Sequence, residues 1–213
     1  MSIRVLLADD HALVRDGLSA LFKASGGIEV ISALGDGRDA VQSAIKLKPD
    51  VSILDVTMPG LNGIEAARLL RRHCPATRII MLSMHSSSEH VHRAMEAGAA
   101  GYLLKESASE EIVDAVRTVH AGRTYIGRAL EGLGKWPFVN ANRAGPIDSL
   151  SARERQVLQL VVEGHSSTEI ALIVHLSPKS VDTYRSRLMK KLGVADITSL
   201  VKFAILHGLT SPD

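Results

Sequence analysis

The chain has 213 residues, which at ~100–200 residues per domain allows one large domain or two small ones. Its composition, 46% hydrophobic and 23% charged, excludes a disordered chain, and a net charge of +2 does not by itself indicate nucleic-acid binding. A single cysteine, Cys74, excludes an intrachain disulfide and a cysteine-rich metal site. No apolar run reaches the ~18 residues of a membrane span, and Asp9 comes too early for a secretory signal. We therefore expect a soluble cytoplasmic protein.

The first 125 residues alternate short aliphatic runs with longer stretches of helical spacing. The aliphatic runs are rich in β-branched residues and are bounded by Gly, Pro or Asp, as buried strands are. They cover residues 3–8, 28–34, 51–54, 78–82 and 100–104. Five strands alternating with five helices predict a parallel five-stranded sheet covered by helices on both faces. A capping box of Ser107 and Glu110 predicts the start of the fifth helix.

The remaining sequence changes character twice. Residues 122–146 contain repeated Gly and Pro and predict an interdomain linker, in which Trp136 and Phe138 are expected to contact a neighbouring domain. From residue 147 to residue 213 the patterns are helical only, which predicts a small all-α domain of four helices. The helix starts are marked by Ser151 with Glu154, Ser166 with Glu169, Ser177 before Pro178, and Asp196. The expected organisation is a domain over 1–121, a linker over 122–146 and a second domain over 147–213.

Polar side chains stand at the carboxyl ends of four predicted strands, where open α/β sheets form their sites. They are Asp9, Asp10, Asp55, Ser83 and Lys105. Two carboxylates ~4 Å apart repel each other by about 4 kcal/mol at an effective dielectric near 20, so either some of the three stay protonated or a cation joins them. Oxygen ligands of this kind favour Mg²⁺. A carboxylate beside Mg²⁺ can attack a phosphoryl group, whose oxygens Ser83 and Lys105 would then hold.

These residues carry a clear resemblance. Asp9-Asp10-His11, the run from Asp55 to Gly60 (Asp-Val-Thr-Met-Pro-Gly), Ser83 and Lys105 resemble the receiver domain of bacterial two-component response regulators. The resemblance implies a flavodoxin-like (βα)5 fold in which Asp55 is the phosphoacceptor. It further implies a Mg²⁺ site formed by Asp9, Asp10, Asp55 and the backbone carbonyl of Thr57. Tyr102 stands where such receivers carry a switch aromatic.

Two further residues are expected to influence the lifetime of the phosphorylated state. Thr57 lies two positions after Asp55, and His85 lies two positions after Ser83. Both are expected to flank the water that hydrolyses the phosphoryl group. His90 and His92 lie nearby in sequence, but too few ligands stand at metal spacing to predict a second metal site.

The all-α segment contains a helix, a tight turn and a second helix whose outer face is basic and polar. Between Lys179 and Lys191 there are five basic residues and one acid, a local charge of +4. Such a second helix suits the DNA major groove. We expect phosphate contacts from Lys179, Arg185, Lys190 and Lys191, with Arg187 slightly to the side, and base-edge contacts from Asp182, Thr183 and Ser186.

The runs over residues 150–158, 164–171, 176–185 and 191–194 resemble the LuxR-type helix-turn-helix. Together with the receiver they make the whole chain similar to the NarL/FixJ family of response regulators. The chain departs from that pattern where a common Asn-Lys pair is Ser167-Thr168 and where a common Lys is Asp182. Because Asp182 cannot neutralise a phosphate, it either accepts from cytosine N4 or repels wrong sequences.

The resemblance implies a transcription factor rather than an enzyme with an external substrate. A sensor histidine kinase would phosphorylate Asp55, the face of the fourth helix, fifth strand and fifth helix would change shape, and a homodimer would bind double-stranded DNA and contact RNA polymerase. Two other classes are disfavoured by the residues after the first strand. An aspartate-nucleophile phosphatase requires Asp-x-Asp there, and a nucleotide-binding oxidoreductase requires Gly-x-Gly-x-x-Gly. This chain has Asp9-Asp10-His11 instead. A receiver without phosphorylation control is disfavoured by the complete set of site residues.

Overall fold

The computed structural model describes residues 2–133, 146–207 and 209–210. The predicted contacts of Trp136 and Phe138 lie outside these residues. Backbone packing divides the chain into two compact units, Met1–Lys135 and Trp136–Asp213. Each unit has a hydrophobic core of its own, built almost entirely from aliphatic side chains. No helix in the described ranges combines the length and the apolar content that crossing a membrane requires.

The first unit is built on a fully parallel sheet. Its strands are β1 (Ile3–Ala8), β2 (Ile28–Leu34), β3 (Val51–Asp55), β4 (Arg78–Ser83), β5 (Gly101–Leu104) and β6 (Tyr125–Ile126), in the spatial order β2-β1-β3-β4-β5-β6. β1, β3, β4 and β5 are almost completely buried because helices cover both faces of the sheet. The predicted flavodoxin-like class is confirmed, and the first five strands match the predicted runs within one residue at each end.

The strand count is corrected from five to six. β6 pairs with β5 through Gly101–Tyr125 and Tyr102–Ile126, and a 3-10 helix over Arg128–Leu133 follows it. A strand of two residues is too short to show an alternating pattern, and the nearby Gly122 and Gly127 made its segment resemble a linker.

The helices of the first unit are α1 (Ala12–Ser25), α2 (Gly37–Leu47), α3 (Gly63–His73), α4 (Ser88–Ala97) and α5 (Ala108–His120). The buried faces of α1 and α5 pack against one side of the sheet, with Phe22 and Ile112 in the core. The predicted Ser107 capping box is wrong, because a 3-10 turn over Lys105–Ser107 precedes α5. In that turn the Ser107 hydroxyl donates to the Leu104 carbonyl instead.

The described part of the second unit starts with a 3-10 helix over Pro146–Ser149. Four α-helices follow: α6 (Ala152–Val162), α7 (Ser167–Val174), α8 (Pro178–Leu192) and α9 (Ile197–Leu206). The capping boxes predicted for α6 and α7 are confirmed, as are Ser177 and Asp196 as caps of α8 and α9. Val181 and Leu188 of α8 are fully buried, so the opposite face of this helix is the one that remains available.

Candidate functional site

The strand ends bring the predicted acidic residues to one edge of the sheet. Asp9 follows β1 and Asp55 ends β3, and these strands are neighbours at the point where the strand order reverses. Ser83 ends β4, and Lys105 follows β5. Asp9, Asp55 and Ser83 are at most 2% exposed, so the site lies in a largely desolvated recess. Backbone packing below it is tight, since a Cβ on Gly63 would lie 2.0 Å from the Asp55 carbonyl oxygen.

The Lys105 ammonium joins the two buried carboxylates. Its Nζ lies 2.7 Å from Asp55 Oδ2 and 2.8 Å from Asp9 Oδ2. Burial and then the Asp9 carboxylate raise the pKa of Asp55 to about 7, although Lys105 and the Thr57 amide oppose the rise. Burial lowers the pKa of Lys105, but the two carboxylates overcome this effect and raise it. The lysine therefore stays charged, while at neutral pH Asp55 titrates between its charged and neutral forms.

Three more groups complete the acidic edge. The Thr57 amide donates to Asp55 Oδ1 at 3.2 Å, and the His11 amide donates to Asp9 Oδ1 at 2.9 Å. Asp10 is exposed, and its Oδ1 lies 2.7 Å from His11 Nδ1. One ligand atom from each of Asp9, Asp10, His11 and Asp55 falls within 4.8 Å of the others.

The donor set fits a hard divalent cation. The three carboxylates supply the oxygens that Mg²⁺ prefers. Asp9 Oδ2 is buried and lies 2.8 Å from the Lys105 ammonium, but it accepts no well-formed hydrogen bond from the described residues. A buried carboxylate oxygen with acceptor capacity left over, facing two further carboxylates, is a suitable metal ligand.

Ser83 is connected to Tyr102 through the backbone of His85. The His85 amide donates to Ser83 Oγ at 3.0 Å, and the Tyr102 hydroxyl donates to the His85 carbonyl at 2.8 Å. Tyr102 is fully buried, and burial raises the pKa of its hydroxyl to about 12. The His85 ring is stacked on His90 with centroids 4.5 Å apart, and burial lowers the pKa of His85. Two hydrogen bonds through the His85 backbone thus connect Ser83 with Tyr102.

Sequence reasoning gave two features of the first unit no role. His11 contacts both Asp9 and Asp10, and its position directly after them was the available signal. Glu111 is 3% exposed and accepts from the Tyr125 hydroxyl at 2.9 Å and from the Arg128 amide at 3.0 Å. Nothing in the sequence separates this glutamate from its solvated neighbours on α5.

In the second unit, most of the predicted DNA contacts lie on the exposed face of α8. Six of the eight are exposed: Lys179, Asp182, Thr183, Ser186, Arg187 and Lys190. Arg185 is half-buried, and its Nη1 donates to Ser167 Oγ at 2.8 Å. Lys191 is directed to α6, where its Nζ lies 2.7 Å from Glu154 Oε2 and 3.2 Å from the Ser149 carbonyl. Burial opposes ionisation of Glu154, but Lys191 and the Ser151 cap still lower its pKa.

A buried acidic site on a doubly wound sheet, followed by a helix-turn-helix, defines a regulatory protein that couples a phosphorylation site to a DNA-binding domain. Comparison with known families agrees with this definition. Residues 5–117 match the response regulator receiver domain, and residues 148–204 match the bacterial regulatory proteins of the luxR family. The chain belongs to the response regulators of the NarL/FixJ family, which are transcription regulators.

Individual relatives cover nearly the whole chain. The transcriptional regulatory protein MctR of Rhizobium johnstonii is 38% identical over 98% of this chain and 96% of its own length. RcsB of Salmonella enterica serovar Typhimurium, solved bound to a promoter with the phosphomimetic BeF₃⁻, is 27% identical with a TM-score of 0.65, covering 95% and 98% of the two chains. A structure of two RcsB dimers bound to two parallel DNAs is 25% identical with a TM-score of 0.59, covering 99% and 100%.

Proposed function

We propose that Asp55 accepts a phosphoryl group from the phosphohistidine of a sensor histidine kinase, and that this event switches DNA binding and transcription. The observation that carries the proposal is the convergence of Asp55, Asp9 and Lys105 within 2.8 Å contacts in a buried recess. Such a recess excludes water and strengthens every charge interaction inside it. The receiver and luxR matches provide the family context.

In the transfer step, an Asp55 carboxylate oxygen attacks the phosphorus atom. The new bond is P–O, the P–N bond to the kinase histidine breaks, and the departing imidazole nitrogen keeps the electron pair and takes a proton. Lys105 donates to Asp55 at 2.7 Å and is in position to follow the developing phosphoryl oxygens. The Ser83 hydroxyl lies at the same edge and supplies a second donor.

Asp9, Asp10, Asp55 and the Thr57 carbonyl would hold Mg²⁺. When bound, the ion neutralises carboxylate charge and orients the phosphoryl oxygens. Because Asp55 has a pKa of about 7, added positive charge also favours its ionised, nucleophilic form. The buried Asp9 Oδ2 is the ligand atom best supported by the structure.

We propose that the signal travels from Ser83 to Tyr102. A phosphoryl oxygen that accepts from the Ser83 hydroxyl draws this residue inward, and the hydrogen bonds through His85 carry the shift to Tyr102. Tyr102 lies on β5, between α4 and α5, so the face formed by these three elements changes shape. That change favours a homodimer, whose two-fold symmetry suits a two-fold DNA site.

The phosphorylated state also decays by hydrolysis at Asp55, at a rate we propose to be set by Thr57 and His85. The His85 backbone amide donates to Ser83 Oγ, and the His85 ring is stacked on His90. His85→Ala removes the ring and keeps the backbone bond, so we expect an altered dephosphorylation half-life. An unchanged half-life removes His85 from this role.

On the DNA side, Lys179, Arg187 and Lys190 are proposed to contact phosphates, and Thr183 and Ser186 to contact base edges. Arg185 and Asp182 belong to the same interface, whereas Lys191 has the weakest support because Glu154 holds its ammonium. A bacterial transcription factor of this kind acts in the cytoplasm. RNA polymerase is the proposed partner once the dimer occupies its site.

The test is chemical phosphorylation of the full chain. Incubation with acetyl phosphate and Mg²⁺ is expected to add the mass of one phosphoryl group to the wild type and none to Asp55→Ala. The matched control, Asp16→Asn, removes an exposed carboxylate of α1 and should react like the wild type. Labelling of Asp55→Ala to the same extent contradicts the assignment. Equal DNA affinity with and without beryllofluoride contradicts the switch.

A further inference from the structure

Ser167 joins α7 to the exposed face of α8 through one hydroxyl group. Its Oγ donates to Asp182 Oδ1 at 2.7 Å and accepts from Arg185 Nη1 at 2.8 Å. Asp182 and Arg185 of α8 therefore share one hydrogen-bonding partner on α7.

These hydrogen bonds fix the Asp182 carboxylate on α8, the helix proposed to approach the negatively charged DNA. Asp182 is exposed and lies in the first half of α8, the part of a recognition helix that contacts base edges. An exposed carboxylate normally samples several rotamers. The Ser167 hydroxyl has a single hydrogen, and donating it to Oδ1 restricts the carboxylate to one orientation. Arg185, bonded to the same oxygen of Ser167, places a positive charge beside the pair.

We propose that Ser167 is a specificity-determining positioning residue, which holds Asp182 as an acceptor for the exocyclic amino group of cytosine in the major groove. This inference rests on the DNA-binding function proposed above. Ser167 lies on α7 and acts through Asp182, so it needs no base contact of its own.

The choice of cytosine follows from acceptor chemistry. An ionised carboxylate only accepts, and the major-groove donors are the N4 amino group of cytosine and the N6 amino group of adenine. Adenine also presents the N7 acceptor next to its donor, and an amide satisfies both of these groups. Asp182 therefore selects cytosine, and Asp182→Asn is expected to change the preference at the same position to adenine.

The experiment is selection from a random duplex DNA pool by the full chain with beryllofluoride and Mg²⁺, followed by sequencing. The variants are Ser167→Ala, Ser167→Thr and Asp182→Asn, with Ser199→Ala on α9 as the matched control. Ser167→Ala leaves the net charge unchanged, so it separates orientation from electrostatics. Ser167→Thr keeps the hydroxyl and covers the case in which the alanine variant fails to fold.

The expected result is one cytosine-enriched position in each half-site of the wild type. Its preference falls about tenfold in Ser167→Ala, the low end of what one good side chain–base contact provides, while the other positions keep theirs. Ser167→Thr and Ser199→Ala keep the cytosine preference. Unchanged preference in Ser167→Ala, or loss of it in Ser167→Thr, overturns the inference. A wild type that selects no sequence instead contradicts the DNA-binding function itself.

Discussion

Replacing Asp55 with Asn should stabilise the protein at neutral and alkaline pH. Burial and then the Asp9 carboxylate raise the pKa of Asp55 from 3.8 to about 7. At ~1.4 kcal/mol per pH unit, a separation of about three pH units corresponds to ~4 kcal/mol. The folded protein binds this proton more tightly than the unfolded chain does, so wild-type stability falls as pH rises from about 4 to about 7. Because Asn does not titrate, the free energy of unfolding of Asp55→Asn should not fall over this pH range.

The assay is urea unfolding of the full chain in EDTA, followed by circular dichroism at several pH values between 4 and 8.5. The difference in free energy of unfolding between Asp55→Asn and the wild type is expected to be near zero at pH 4 and to approach ~4 kcal/mol above pH 8. Mg²⁺ should shrink that difference, because a cation stabilises the ionised wild-type site. The control Asp16→Asn should show a small, pH-independent difference. A gap that is constant with pH, or a variant less stable than the wild type at pH 8, refutes the reasoning.

Three other substitutions test the packing around the sites. Gly63→Ala places a Cβ 2.0 Å from a backbone carbonyl oxygen, so it should lower the free energy of unfolding by more than 2 kcal/mol and slow labelling by acetyl phosphate. Tyr125→Phe leaves buried Glu111 without its hydroxyl donor. It should lower the free energy of unfolding by about 1 kcal/mol, seen as a lower thermal midpoint, and leave phosphorylation unchanged. Glu154→Gln removes the ion partner of Lys191, so it should lower the free energy of unfolding of the second unit by about 1 kcal/mol in urea titrations. An unchanged free energy of unfolding would show that this ion pair does not contribute to stability.

Regular elements were predictable because their signals are local. The strand β3 is a short, mostly apolar run between Asp50 and Asp55, and α6 begins with a capping box whose two hydrogen bonds the structure contains. The edge of the sheet was predictable for the same reason, since Asp55 and Lys105 each stand where a run ends. Parallel strands then bring such residues together without any further information.

Long-range contacts account for what the sequence could not show. Lys191 looks like its neighbour Lys190, yet it is paired with Glu154, a residue 37 positions away. Leu13 follows the helical spacing of α1 but is 85% exposed, because it lies in the first turn beside the acidic edge. The strand β6 depends on hydrogen bonds to Tyr102 and Ala100 rather than on any pattern of its own. For Lys191 and for β6, a partner distant in sequence decides the position.

The acidic edge also shows why its residues cannot be chosen for stability alone. Two buried carboxylates, the exposed carboxylate of Asp10 and one lysine leave excess negative charge at this edge, and the Lys105 ammonium contacts both Asp9 and Asp55. If each buried carboxylate had its own cationic partner, the site would need no further cation, and Asp55 would be ionised but already engaged in an ion pair. Burial and then the Asp9 carboxylate raise the pKa of Asp55 to about 7 even though Lys105 opposes the rise, and Asp9 Oδ2 accepts no well-formed hydrogen bond from the described residues. The electrostatic strain that should destabilise the fold above pH 7 is thus the same property that makes the site receptive to a divalent cation and a phosphoryl group.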